Sequence, residues 1–164
     1  FSPYVEPEFS FLIKKDIDIS KGPFTFENIY NYISAVLPSI ELVDSRYSNW
    51  TTIGVYNLIA DNAVNGHWIY GEQNIDVKKF DFSNHLVSLF INGKKIVEGN
   101  SKNVLGNPIN SLNWLINKIT KDGKELKKND FISTGTCTPA IPISNNDEII
   151  ADFGKLGIVN FTYK

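Results

Sequence analysis

Val5-Glu6-Pro7-Glu8-Phe9, continued by Ser10-Phe11-Leu12-Ile13, sets two glutamates one residue apart at the head of an apolar strand. Phe9, Phe11 and Ile13 alternate with Glu8, Ser10 and Leu12. Side chains of a strand point alternately to its two faces, so the pattern predicts a strand from about Glu8 to Ile13. It also puts Glu6 and Glu8 on one side, roughly 7 Å apart. Two like charges that close repel; inside a pocket, either one is protonated or a cation sits between them. On a solvated surface the same pair would be ordinary, with Pro7 blunting a sheet edge.

Further along, Ile40-Glu41-Leu42-Val43-Asp44 reads as a second strand, followed by Ser45-Arg46-Tyr47. A glutamate inside an apolar strand is costly to bury unless it is paired or ligates a metal, which makes Glu41 a candidate third carboxylate. A salt bridge from Glu41 to Arg46 is the competing explanation. Asp44 is the competing ligand, since an odd residue offset sets it on the opposite face of the strand from Glu41. Oxygen-only ligation fits Mg2+ or Mn2+ rather than zinc.

The chain has 164 residues, 42% hydrophobic and 13% aromatic, enough apolar material for one domain with a real core. Its 16 basic and 18 acidic residues are interleaved, with a net charge of −2, which points away from nucleic acid and membrane surfaces as partners. No apolar run approaches a membrane span or a signal-peptide core. One cysteine, Cys137, allows no internal disulfide and suits a reducing compartment, so the cytoplasm is the expected location. His67 and His85 have no Cys or His partner at metal spacing and read as structural or exposed. With no methionine and an opening on Phe1 directly before a strand, the sequence reads as a piece of a longer chain.

The remaining elements follow from periodicity. Phe26, Ile29, Tyr30, Ile33, Val36 and Leu37 fit a helix capped by Thr25 and stopped by Pro38. Thr52 to Ala60 suggests a short helix or irregular segment, and Asp61-Asn62-Ala63-Val64-Asn65-Gly66 a polar turn before a strand at His67 to Tyr70. Leu86 to Ile91, Asn92-Gly93 and Lys94 to Val97 spell a hairpin with a type I′ turn. Asn107 and Pro108 open a second helix with Ile109, Leu112, Leu115, Ile116 and Ile119 as its buried stripe, Trp114 beside them and Gly123 past its end. Phe131 to Ser133, a small-residue loop from Thr134 to Pro139, and strands at Ile141 to Ile143, Glu148 to Phe153 and Gly157 to Tyr163 close the chain. The sum is a β-rich α+β fold in which strands outnumber helices and two main helices pack on them.

In order, VEPEF, LPSIELVDSRY, ADNAVNG, GNPINSLNWLINKI, DFISTGTCTP and ADFGKLGIVNF resemble the 2-keto-4-pentenoate hydratase and 4-oxalocrotonate decarboxylase family of the fumarylacetoacetate hydrolase superfamily. The resemblance spans nearly the whole chain. It implies that residues 1–164 form the C-terminal catalytic domain, a mixed β-sandwich or roll, and that Mg2+ or Mn2+ is held by Glu6, Glu8 and Glu41. Asp44 and Arg46 would then support the ligands from behind. Thr134, Gly135, Thr136 and Thr138 would lie beside the substrate, a small 2-oxo or 2-hydroxydienoic acid of aromatic catabolism. The family's acid and base, a lysine and an aspartate, fall upstream of Phe1, and Val64 stands where many relatives carry serine. Homo-oligomers are common in the family and are expected here.

The expected activity is hydration of a 2-hydroxy-2,4-dienoate to a 4-hydroxy-2-oxo acid, with decarboxylation of a 4-oxalocrotonate-type acid as the alternative. Both begin with charge withdrawal through a chelated metal. A C–C hydrolase acting on acylpyruvates would need a water-activating base that no motif supplies. A non-catalytic assembly module has little reason to keep three carboxylates together.

Overall fold

The computed structural model describes residues 3–72 and 76–164, with the backbone alone at Ile19. In chain order the elements are β1 (Tyr4–Ile13), α1 (Phe26–Ile29), β2 (Ile33–Val43), α2 (Val55–Ala60), β3 (Asn65–Tyr70), β4 (Leu86–Ile91), β5 (Lys94–Asn100), α3 (Pro108–Lys121), β6 (Phe131–Thr136), β7 (Ile141–Pro142), β8 (Glu148–Asp152) and β9 (Ile158–Thr162), with short 3-10 turns between. One sheet has the order β3-β2-β1-β6 with β7 also paired to β1; the other has the order β5-β4-β8-β9. This is the β-rich α+β architecture expected from the sequence.

β1 is buried on both sides of its backbone, between β2 and the β6/β7 pair. Its alternation assigns Val5, Phe9, Phe11 and Ile13 to the core, where they meet Val36, Ile40 and Leu42 of β2 and Val87, Leu89, Ile149 and Ala151 of the second sheet. Phe9 lies at the centre of an aromatic cluster, 5.3 Å from Phe153 and 5.7 Å from Phe82 between ring centroids. Fully burying a side chain of this size contributes about 1.5–3 kcal/mol.

Pro7 therefore does not mark an edge. Its carbonyl accepts from the Cys137 amide at 2.8 Å, at the break between β6 and β7. In an antiparallel strand a residue's N–H and C=O point the same way, so the donor that proline lacks would face a place where the ladder is already interrupted.

The helix expected through Leu37 is a single turn. Thr25 caps it, accepting from the Asn28 amide while Asn28 reciprocates to the Thr25 backbone. From Ile33 onward the chain is strand, paired to β1 from Ile33 opposite Ile13 to Val43 opposite Tyr4. Ile33, Ala35 and Leu37 share a period of two as readily as a period of four, and the long partner strand selects the first. Pro38 is tolerated because its carbonyl takes the Gly71 amide just beyond the end of β3, on the side where no N–H is needed.

The other expectations are closer. Asn92 and Gly93, at φ 51° and 76°, make the β4–β5 turn. Asn107 caps α3 through the Ile109 amide, with Pro108 in the first turn. Ile109, Leu112 and Ile116 are buried, whereas Trp114 is 63% exposed and does not join the stripe. Trp114 follows Leu112 by two positions, which on a helix is the opposite face. Thr134 to Thr136 belong to β6 rather than to a loop. Among the described residues no helix is long and apolar enough to cross a membrane.

The two sheets touch where β5 meets the segment after β6. A Cβ built on Gly99 would lie 2.1 Å from the Cys137 carbonyl oxygen, and only glycine permits that approach. Gly99→Ala is expected to cost about 1–3 kcal/mol by forcing these backbones apart. Urea unfolding checks this; an unchanged midpoint would show that the segment gives way freely.

Candidate metal and substrate site

Register brings the functional side chains together. Glu6 pairs with Glu41, Glu8 with Ser39, and Glu41 in turn with Trp68. On the sheet face turned away from the core, β1 contributes Glu6, Glu8 and Ser10, β2 contributes Ser39 and Glu41, and β3 contributes Trp68 and Tyr70. Glu6, Glu8 and Glu41 each offer a carboxylate oxygen within 4.8 Å of the others. That is the scale of one coordination sphere, in which oxygens around a small hard cation lie about 3–4 Å apart. The donor set is all oxygen and suits such an ion.

Two of the carboxylates are held by hydrogen bonds. Glu8, 3% exposed, accepts from the Ser133 hydroxyl and the Gly135 amide. Burial, with Glu41 and Glu6 close by, still pushes its pKa up to about 7 against those two hydrogen bonds. Burial and the nearby Glu41 raise Glu6 as well. Glu41 accepts from the Asn65 side-chain amide at 2.7 Å.

Arg46 does not pair with Glu41. Its guanidinium grips Asp61 through Nε and the Asp61 carbonyl through Nη2, and Nη1 donates to the Asn65 carbonyl at 3.2 Å. Burial opposes ionisation of Asp61, but hydrogen bonds from Arg46 and Ser45 hold its carboxyl below the usual range. Arg46 thus acts on the site through Asn65. Asp44, just past the end of β2, is outside the carboxylate group; its amide donates to the Val64 carbonyl at 2.9 Å. Between Asp61 and Asn65, Asn62, Ala63 and Val64 all take left-handed backbone angles, φ 54°, 53° and 60°. Such a run is rare in L-residues, least of all with a β-branched member.

The Thr134–Thr138 segment borders the site through its backbone at Gly135. Thr134 Oγ1 donates to the Phe9 carbonyl at 2.7 Å, Thr136 Oγ1 to the Thr138 carbonyl at 2.8 Å and Thr138 Oγ1 to the Pro139 carbonyl at 2.9 Å. These hydroxyls are taken up by main-chain carbonyls, that of Thr134 by β1, while Ser133 and the Gly135 amide face Glu8. Cys137 is buried, with its thiol pushed up to about 12 by burial and by Glu8. His67 is exposed, and His85 Nε2 lies 2.5 Å from the Phe153 carbonyl, both as expected of structural histidines.

A cavity of about 270 Å3 opens beside the carboxylates, lined by Glu41, Asn65, Trp68, Phe131 and Ser133. Trp68 on β3 and Phe131 on β6 approach to 5.2 Å although β2 and β1 lie between them. Ser39 and Ser10 make this possible, being small and fully buried beneath the rings. Ser10 also receives the Trp68 indole N–H at 3.2 Å and bonds Ser39 at 2.7 Å. The sequence reading missed Ser10, Ser39, Asn65, Trp68, Phe131 and Ser133; all but Asn65, which a break in the β2–β3 register brings in, follow a period of two in register with Glu6, Glu8 and Glu41.

Sequence comparison finds, among curated proteins, a 2-keto-4-pentenoate hydratase of Burkholderia vietnamiensis, 27% identical over 161 residues that cover 98% of this chain and 60% of the relative. Among solved structures, 4-oxalocrotonate decarboxylase from Pseudomonas putida G7, complexed with magnesium and adipate, superposes with a TM-score of 0.90 at 28% identity, over 100% of this chain and 61% of the other. The chain is a relative of these enzymes. A fumarylacetoacetate hydrolase from Exiguobacterium antarcticum shares the fold, with a TM-score of 0.75 at 18% identity over 99% of this chain and 57% of its own. No family profile matches. The chain spans about 60% of the length of the hydratases and the decarboxylase it resembles.

The Glu8 carboxyl gives a pH test. Its pKa is about 7 when folded against an ordinary 4.5. Between those values the unfolded chain is ionised while the folded one holds the proton. The Glu8 contribution to stability of the metal-free chain is therefore greatest below 4.5 and falls as pH rises to 7, by on the order of 3 kcal/mol. Unfolding in chelator at pH 5 and 7.5 measures it, and Glu8→Gln should remove most of the difference, leaving the smaller part that the raised Glu6 carboxyl contributes. An equal pH response in both proteins would assign the effect elsewhere.

Proposed function

We propose that this chain is the metal- and substrate-binding part of a hydratase acting on a 2-hydroxy-2,4-dienoate, with Mg2+ or Mn2+ held by Glu6, Glu8 and Glu41. The observation that carries this reading is the convergence of the three carboxylate oxygens within 4.8 Å beside a cavity. Three carboxylates left without a cation would repel at that distance, and nothing about the fold requires them. The 2-keto-4-pentenoate hydratase names of the relatives support the reaction class.

When bound, a divalent ion there supplies positive charge for chelating a 2-oxo acid head and for stabilising charge that develops on the C2 oxygen. The chain's own groups set the geometry. Ser133 and the Gly135 amide orient Glu8, Asn65 orients Glu41, and Arg46 and Asp61 hold Asn65 in place. The substrate is a small molecule, and a homo-oligomer remains the expected assembly. A 2-oxo acid decarboxylase is the second reading, favoured by the likeness in structure to 4-oxalocrotonate decarboxylase; the two share the chelation step.

Calorimetric titration with Mn2+ tests the proposal, with oxalate as a chelating analogue. The expected result is one site, tightened by oxalate and weakened at least about 100-fold by Glu8→Gln. No binding, or binding indifferent to Glu8→Gln, would refute the metal site and leave the assembly-module reading.

A further inference from the structure

We infer that the Trp68–Phe131 wall of the cavity beside Glu41 is a specificity subsite for the distal end of the substrate, and that it selects a flat, uncharged, unsaturated or aryl tail. The inference rests on the reading of the carboxylates as holding the 2-oxo acid head through a metal. With the head fixed there, the cavity that shares Glu41 is the space into which the rest of the molecule extends. Its far wall is aromatic: Trp68 and Phe131 are 5.2 Å apart, and Tyr70 stacks on Trp68 at 4.6 Å and lies 5.3 Å from Phe131.

Two features make this wall a selecting surface. The first is rigidity. The Trp68 indole is tied to Ser10, whose hydroxyl donates to Ser133, the same residue that donates to Glu8. The ring plane and the carboxylate are thus positioned by one hydrogen-bond network, and the distance from head to tail is set. A flat conjugated tail gains from a pre-oriented ring face because it loses little rotational freedom on binding. The second is charge. Among the described residues lining the cavity none is cationic, so a second carboxylate at the tail would be taken from water without a partner, with Glu41 nearby to repel it.

The test compares three ligands that share a 2-oxo acid head, titrated by calorimetry into the Mn2+-loaded chain: pyruvate, 4-phenyl-2-oxobut-3-enoate and 2-oxoadipate. The aryl compound is expected to bind about tenfold tighter than pyruvate, and 2-oxoadipate no tighter than pyruvate. In Phe131→Leu, which leaves the hydrogen-bond network intact, the aryl advantage should shrink to less than about threefold while pyruvate affinity changes by less than about twofold; in Trp68→Ala the aryl compound should lose more affinity than pyruvate does. Retained pyruvate binding also certifies that each variant is folded. Equal affinity for pyruvate and the aryl compound, an aryl advantage that survives both substitutions, or tightest binding by 2-oxoadipate would overturn the subsite while leaving the metal site standing. Failure of pyruvate to bind at all would instead overturn the reading of the carboxylates, and the subsite with it.

Discussion

The pairing of Glu6 with Glu41 across β1 and β2 is the constraint on which the site depends. Antiparallel register leaves no choice of face once the core side is filled: with Val5, Phe9 and Phe11 inward, Glu6 and Glu8 point outward, and the ladder to β2 delivers Glu41 beside them. A slip of one residue would bury the carboxylates among phenylalanines. The free energy that holds three like charges together therefore comes from apolar packing on the opposite face of the same strand. Core and site are two sides of a single pattern.

Much of this pattern was legible in the sequence because it is local. The alternation from Glu6 to Ile13, the Asn92-Gly93 turn and the Asn107-Pro108 start of α3 are each decided by residues near in sequence, and the structure agrees with all three. The segment from Phe26 to Leu37 was misread because its apolar spacing satisfies two periods. What decides between them is a ten-residue partner strand twenty residues upstream, and no local rule contains it. Pro38 reinforced the error, since the tolerance for it comes from the place where β3 happens to end.

The site divides in the same way. Chemistry makes the carboxylates candidates, as charges that an apolar strand carries at a cost, and the family resemblance chooses Glu41 over Asp44. The serines and aromatics around them escaped notice because their meaning is relational. Ser10 and Ser39 are small where Trp68 and Phe131 must meet above them, and Ser133 matters through the carboxylate it touches. None of these stands out alone. Thr134, Thr136 and Thr138 stood out as a run of hydroxyls, yet each is occupied with a main-chain carbonyl.

The left-handed run at Asn62, Ala63 and Val64 has a bearing on how such a site would decay. Ala63 and Val64 each sit about 1–2 kcal/mol above their relaxed conformation, Asn62 less, so the turn is a wound spring, and Asp61 with Arg46 is the catch that keeps it wound. Asn65 is the first residue after the spring and the one that steadies Glu41. A chain that lost the catch would keep its sheets, its core and all three glutamates, and would still surrender the alignment of one of them. Binding capacity is in this sense more fragile than the fold, and the fragile point lies in a surface turn that carries no ligand of its own.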